Sequence, residues 1–287
     1  MVELISLNEK QRWNDIVHSM HDSDFYHLAE YHELDTTGDP LLFYYHTPEA
    51  AIALPIVIRS IPDTDYFDIT SVYGYAGPLS NTSELSDDLI LDFQKELQAF
   101  FDKKKIVSVF SRLHPLVANQ SSVLKNLGVV EDLNLTVGID LSLPKAEQRA
   151  QYASSVKNRI NYLRKMGVTV KRAETKSEID SFVEIYRENM QRVKAAPSYF
   201  FSNDYFYHFL DSIDSAIFLA YYKDEAIAGS LVTFCNQIIQ SHLSATRTKY
   251  LKRSPLKLII DEIRLCGVEQ NRHYFNLGGG LNGKNDS

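Results

Sequence analysis

Two short stretches decide how this chain folds: Tyr44-Tyr45-His46-Thr47-Pro48-Glu49-Ala50-Ala51-Ile52-Ala53 and, far downstream, Tyr221-Tyr222-Lys223-Asp224-Glu225-Ala226-Ile227-Ala228. Each reads as strand, tight turn, strand, with Glu-Ala opening the second strand and one residue more in the first copy. A hairpin turn fixes strand register, and register fixes which face is buried. The order of elements around each hairpin repeats as well. In the first half, helical segments over about 8–20 and 27–34 precede strands over about 41–46, 50–59 and 66–73. A long amphipathic helix over about 86–104 and a strand over about 106–111 follow. Leu89, Ile90, Phe93, Leu97, Phe100 and Phe101 recur there at helical spacing, and Ser86-Asp87-Asp88 supplies a cap and an acidic first turn. A short helix near 121–127 and a strand over about 135–141 close that half.

The second half repeats the plan. A helix over about 147–166 stops at Gly167, helices lie near 177–193 and 203–212, and strands cover about 216–222, 226–235 and 238–245. A helix over about 255–270 leads into a strand over 274–277. The pattern predicts an α+β (α/β-layered) chain of two tandem domains, 1–145 and 146–287, each a mostly antiparallel mixed sheet flanked by helices. No G-x-G-x-x-G follows a strand and no G-x-x-x-x-G-K-[ST] occurs, so Rossmann and P-loop readings are excluded.

The 287 residues are 44% hydrophobic and 23% charged, a composition that supports a real core. No run approaches the roughly 18 apolar residues of a membrane helix, and the N-terminus lacks the regions of a signal peptide. Cys235 and Cys266 form no disulfide framework. A cytoplasmic protein without an integral membrane span is expected. The net charge of −7 argues against DNA as a partner. Against that average, residues 149–172 contain no acid but carry Arg149, Lys157, Arg159, Arg164, Lys165, Lys171 and Arg172. This island is either a solvated helix face or a site for an anionic substrate; Lys157 and Arg159 are its substrate-binding candidates.

Strict alternation along 238–246 puts Gln240, His242, Ser244 and Thr246 on one face and Ile239, Ser241, Leu243 and Ala245 on the other. The polar row is either a solvent face or a cleft wall; His242 and Ser244 are its catalytic candidates. Arg247, Lys249, Lys252 and Arg253 follow, and Ser254-Pro255 opens a helix. Serine favours the N-cap and proline the first turn, so this start is expected to attract anions. Arg247, Lys252, Arg253, Ser254 and Lys257 are the expected contacts to a phosphorylated donor, the alternative being an ordinary capped helix with a basic lead-in. Tyr73 and Tyr75, Arg112 and His114, and Gly278, Gly279 and Gly280 lie in loops at strand ends, either as substrate contacts or as packed turns. His18, His21, His27 and His32 lack the spacing of a metal site, and no metal is expected.

The series Ser71-Val72-Tyr73-Gly74-Tyr75-Ala76-Gly77-Pro78, Ser111-Arg112-Leu113-His114-Pro115, Ser241-His242-Leu243-Ser244-Ala245-Thr246, Ser254-Pro255-Leu256-Lys257 and Asn276-Leu277-Gly278-Gly279-Gly280 resembles bacterial GNAT-superfamily proteins grouped with the Fem (FemA/FemB/FemX) aminoacyltransferases. The resemblance implies two GNAT-like domains. It implies transfer of an acyl or aminoacyl group from aminoacyl-tRNA or an acyl thioester to an amine, a cell-wall (peptidoglycan) precursor or another small molecule. The donor is then a co-substrate, acyl-CoA or charged tRNA, with no tightly bound cofactor, and its phosphates are expected on 247–257. Two other readings stay open, a carbohydrate or lipid N-acyltransferase using acyl-CoA or acyl carrier protein, and a non-catalytic GNAT-fold binding module. The run Arg253-Ser254-Pro255-Leu256 lacks the glycines of the coenzyme A signature Q/R-x-x-G-x-G/A. The resemblance also implies an aromatic and lysine-containing continuation after Ser287, so the second domain is expected to be cut short.

Overall fold

A computed structural model describes residues 1–133 and 135–279. The chain forms two compact units, Met1–Leu133 and Asn134–Ser287.

The first unit runs β1 (Val2–Ser6), α1 (Lys10–Ser19), α2 (Ala29–Glu33), β2 (Asp39–His46), β3 (Ala51–Ser60), β4 (Phe67–Thr70), β5 (Leu79–Ser80), α3 (Asp87–Lys104), β6 (Ile106–Val109) and α4 (Gln120–Leu124). Its sheet has the order β1-β2-β3-β4-β6, with the short β5 also on β3. All pairs are antiparallel except β4 and β6, which are joined by α3. A parallel return needs such a crossover. α3 forms as expected: the Ser86 hydroxyl accepts the Leu89 N–H at 3.3 Å, Asp87 and Asp88 follow, and Ile90, Phe93, Leu97, Phe100 and Phe101 are buried. They pack on Phe43, Tyr45, Ile52 and Leu54 of one sheet face, while Trp13 and Val17 of α1 pack with Leu42, Ala51 and Ala53 on the other.

The second unit runs β7 (Thr136–Asp140), α5 (Lys145–Ala150), α6 (Ser154–Lys165), β8 (Thr169–Arg172), α7 (Lys176–Arg192), α8 (Asn203–Ser212), β9 (Ser215–Tyr222), β10 (Glu225–Cys235), β11 (Ile238–Thr246), α9 (Leu256–Glu269) and β12 (Tyr274–Gly279). Its sheet order is β7-β12-β11-β10-β9-β8. Without β7, and taken from β8, this is the order of the first unit: edge strand, hairpin, then a strand whose parallel partner follows a long helix. The matching hairpins β2–β3 and β9–β10 are the ones picked out by sequence. β10 is buried along nearly its whole length because helices cover both faces. Ile160 and Leu163 of α6 and Leu258, Ile259 and Ile263 of α9 share one cluster with Val232, Phe234 and Ile239. On the opposite face, a Cβ on Gly229 would lie 2.5 Å from Phe182 of α7.

Three expectations need correction. The units part after Leu133, earlier than the expected 145/146 boundary, because β7 pairs antiparallel with β12 and so completes the second sheet. The helix over 147–166 is two helices, α5 and α6. It breaks near Tyr152, whose ring turns inward against the second unit's core and lies 5.9 Å from the Arg264 guanidinium. Gly278 and Gly279 belong to β12 and pair with Val137 and Thr136, so they are strand residues, with Gly278 at φ 80°. Gly280 lies outside the described residues.

Candidate functional site

Among the described residues β11 and β12 run side by side for three pairs, Ile238–Tyr274, Ile239–Phe275 and Gln240–Asn276. Past that point β11 stays with β10 and β12 stays with β7, so the second sheet forks. Two buried amides fix the fork. Asn276 Nδ2 donates to Gln240 Oε1 at 2.8 Å, and Asn276 Oδ1 accepts the Gly278 N–H at 3.1 Å.

One residue beyond the fork, β11 carries a bulge. The register with β10 jumps from Val232–Ser241 to Leu231–Leu243, which leaves His242 as the extra residue. A bulge breaks strict alternation and re-aims side chains. Ser241 and Ser244 therefore share one face with Ser230 of β10: the Ser230 and Ser244 hydroxyls are 2.8 Å apart, and those of Ser241 and Ser244 3.4 Å apart. This row leads from Ser230, 1% exposed, to the solvent-exposed Ser244. His242 points to the opposite face. Its ring stacks on Phe209 of α8, with centroids 4.9 Å apart, and its Nε2 lies 3.1 Å from the Tyr205 hydroxyl. Burial pushes its pKa down to about 3, so the imidazole is neutral at neutral pH. The expected joint wall of His242 and Ser244 is thus divided between two faces. Ser230 and Ser241 were not singled out in the sequence, because strict alternation aimed Ser241 away and nothing set Ser230 apart from other strand residues.

The segment after β11 also departs from expectation. Arg247 is taken up by the protein itself: Nε donates to Ala226 O at 2.9 Å, and its other nitrogens lie 3.3 Å from Glu184 and Glu188 of α7. Lys249 pairs with Glu225 at 2.8 Å. Thr248–Arg253 is a 3-10 turn, and Ser254 takes the left-handed conformation, φ 51°, and cannot cap. α9 opens at Pro255 and Leu256 with no side-chain cap; the Lys257 N–H donates to Ser254 O at 3.2 Å and the Leu258 N–H to Pro255 O at 3.0 Å. Arg253 stacks over Tyr222 (4.9 Å) and Tyr250 (5.5 Å). Its Nη1 is buried with no hydrogen bond among the described residues. Among the described residues Lys252, Arg253 and Lys257 make no ion pair. Three of the expected anion contacts thus remain available.

The first unit lacks both features. β4 and β6 are paired along their length, and the Phe110 N–H continues the ladder to Ile69 O. The start of α3 is capped by Ser86 and carries two aspartates, the opposite charge to the start of α9. Of its loop residues, His114 is structural. Nε2 lies 3.0 Å from Asp24 Oδ2, both side chains are fully buried, and Nδ1 accepts the Leu116 N–H at 3.1 Å. Tyr75 packs edge-on against Tyr26 and His114. Gly74, at φ 124°, is required beside Tyr26, which a Cβ would meet at 2.0 Å. Tyr73 and Arg112 are exposed.

The basic island divides too. Asp261 of α9 is 1% exposed and receives Arg149 at 3.1 Å, Arg164 at 2.9 Å and Arg264 at 2.9 Å. Arg149 and Arg164 therefore serve a buried carboxylate of this chain. Lys157 donates to Ala150 O and Arg159 stacks over Tyr162, both half-buried. Among the described residues no group of three or more His, Cys, Asp or Glu is placed to hold a metal.

Residues 150–283 match the family model described as Acetyltransferase (GNAT) domain. No curated protein matches the sequence. The fold as a whole is similar to that of FemX (TM-score 0.72, 12% identity, covering 99% of this chain and 90% of that one). It is also similar to L-PGS from Bacillus licheniformis (TM-score 0.61, 14% identity, 97% and 80%) and to a tandem GNAT protein from the clavulanic acid biosynthesis pathway (TM-score 0.52, 8% identity, 100% and 91%). At such identities the likeness is one of fold. Residues 150–283 thus carry the match to a GNAT domain model, and the fold of the chain as a whole is similar to that of a tandem GNAT protein.

Proposed function

We propose that the fork between β11 and β12 binds an activated acyl donor and that the chain transfers its acyl group to an amine. The donor is an aminoacyl ester, as carried by tRNA, and the acceptor is an amine of a cell-wall precursor. The observation that carries this reading is the conjunction at the fork: a sheet opening, a bulge with a hydroxyl row, and an uncapped helix start flanked by Lys252, Arg253 and Lys257. Helix N-termini with nearby cations hold phosphate. The resemblance to Fem aminoacyltransferases and the whole-chain similarity to FemX favour the aminoacyl donor. The tight 3-10 turn over Thr248–Arg253, without a glycine, disfavours a coenzyme A pyrophosphate cradle.

The chemistry asks little of the side chains. The acceptor nitrogen attacks the donor carbonyl carbon, the carbonyl oxygen gains charge, and the C–O bond to the ribose (C–S in a thioester) then breaks. The proton lost by nitrogen passes to water and the leaving oxygen is protonated. Hydroxyl and backbone N–H donors at the bulge stabilise the tetrahedral oxyanion, and holding amine and carbonyl in line supplies much of the rate. His242 is neutral but faces α8, away from the hydroxyl row, and is assigned no proton transfer.

The test is a binding comparison of charged tRNA with coenzyme A thioesters by thermal shift, followed by Arg253→Ala with Lys257→Ala. The proposal expects stabilisation by charged tRNA and a drop in donor affinity of roughly ten- to hundred-fold at low salt, about one to two phosphate contacts. Unchanged affinity in the double variant would remove the anion site. Stabilisation by thioesters alone would move the assignment to an N-acyltransferase of carbohydrates or lipids.

A further inference from the structure

The connection between α7 and α8 combines features that transfer chemistry does not use. α7 ends in a Schellman arrangement: the Lys194 N–H reaches Gln191 O at 3.2 Å and the Ala195 N–H reaches Met190 O at 3.0 Å. Lys194 takes the left-handed conformation, φ 53°, which normally falls to glycine. A long cation is thus held at a strained backbone position where a smaller residue would be more comfortable. Beside it, Val193, Tyr199 and Phe200 are 48%, 36% and 42% exposed.

The base of this connection is firmly held. The Tyr186 hydroxyl donates to Tyr199 O at 2.8 Å, and Phe201 stacks on Tyr205 at 4.2 Å and on Tyr186 at 6.1 Å. The exposed rings therefore stand on a rigid footing. Between Glu188 and Asp204 there is no acidic residue, while Arg192 and Lys194 are both present, in a chain of net charge −7. Glu188 itself is engaged by Arg247 and the Thr248 N–H. Among the described residues Arg192 and Lys194 form no ion pair.

We propose that residues 192–200 dock this protein on the surface of an anionic lipid bilayer. Tyrosine and phenylalanine favour the depth of the headgroups, and neighbouring cations draw on the negative surface potential. Three apolar side chains fall short of the 20–30 residues a side that a stable protein partner needs. No helix among the described residues is long and apolar enough to cross a membrane; the docking proposed for residues 192–200 is peripheral and reversible. The proposal stands apart from the transfer reading, and its failure leaves that reading intact.

The test uses Phe200→Trp in the full chain. The natural Trp13 is fully buried and donates its indole N–H to His27 O, so it stays silent. Vesicles of phosphatidylcholine with phosphatidylglycerol in equal parts should shift the new emission to the blue, and brominated acyl chains should quench it. Pure phosphatidylcholine vesicles should do neither, and high salt should reverse both effects. Lys194→Gly should weaken partitioning about five-fold, one cation's share of the surface attraction. Its Tm should not fall, because glycine relieves the positive φ. No spectral change in the folded Trp variant would overturn the proposal, as would undiminished binding by Lys194→Gly. A blue shift that grows with protein concentration in lipid-free buffer would also overturn it, assigning the patch to a second copy of the chain.

Discussion

His242 shows how one inserted residue changes a site. Perfect alternation would place it beside Ser244, but the bulge sends it against Phe209 and brings Ser241 into the hydroxyl row instead. The sequence held no sign of this, since a bulge is a register mismatch with another strand and leaves no mark of its own in β11. His242→Phe should therefore keep the stack on Phe209 and cost transfer far less than the roughly 100-fold expected on losing a general base. The pH–rate profile should keep its shape. Ser244→Ala should lower the rate about ten-fold, the worth of one hydrogen bond to the developing oxyanion, with the circular dichroism spectrum unchanged. Activity abolished by the first change and untouched by the second would restore the alternating wall.

At the scale of elements, the sequence foretold most helices and strands but misjudged what the basic ones are for. The amphipathic pattern of α3 and its serine cap were plain, because both are local. The purpose of Arg149 and Arg164 was hidden, because their carboxylate partner lies about a hundred residues away in sequence: Asp261, on the inner side of α9. Ser254 was misjudged for a similar reason. A Ser-Pro pair signals a cap, but the 3-10 turn before it forces the serine into the left-handed conformation. The Asp261 cluster ties α5 and α6 to α9, the helix that opens at the fork. Asp261→Asn would leave three guanidinium groups around a neutral amide. Breaking a buried ion pair typically costs 3–5 kcal/mol. The partial exposure of Arg149 and Arg164 puts the expected loss at the lower end, about 3 kcal/mol, measurable as a reduced urea midpoint with unchanged slope.

For the whole molecule, the duplication read from two hairpins is matched by strand order in both sheets, while β7, expected as the last strand of the first half, belongs to the second sheet because its pairing with β12 is a long-range event. The copies have diverged in chemistry, one zipped and acidic at its long helix, the other forked and basic. They also share a weakness toward acid. Burial holds His27 at about 3, His32 at about 4 and His242 at about 3, against an unfolded value near 6.5. The unfolded chain binds more protons below that value, so stability is complete above it and is lost as pH falls toward 4. The limiting slope is about 1.4 kcal/mol per pH unit for each histidine. With two of the three, the first unit should lose urea resistance more steeply between pH 6.5 and 5 than the second. The central claim, that the donor sits in the fork of the second unit, is met most directly by hydrogen–deuterium exchange with and without a non-hydrolysable aminoacyl-tRNA analogue. Slowed exchange at 241–246 and 254–260, with 67–90 unchanged, is the predicted result. Protection confined to 67–90, or none in the second unit at saturating ligand, would contradict it.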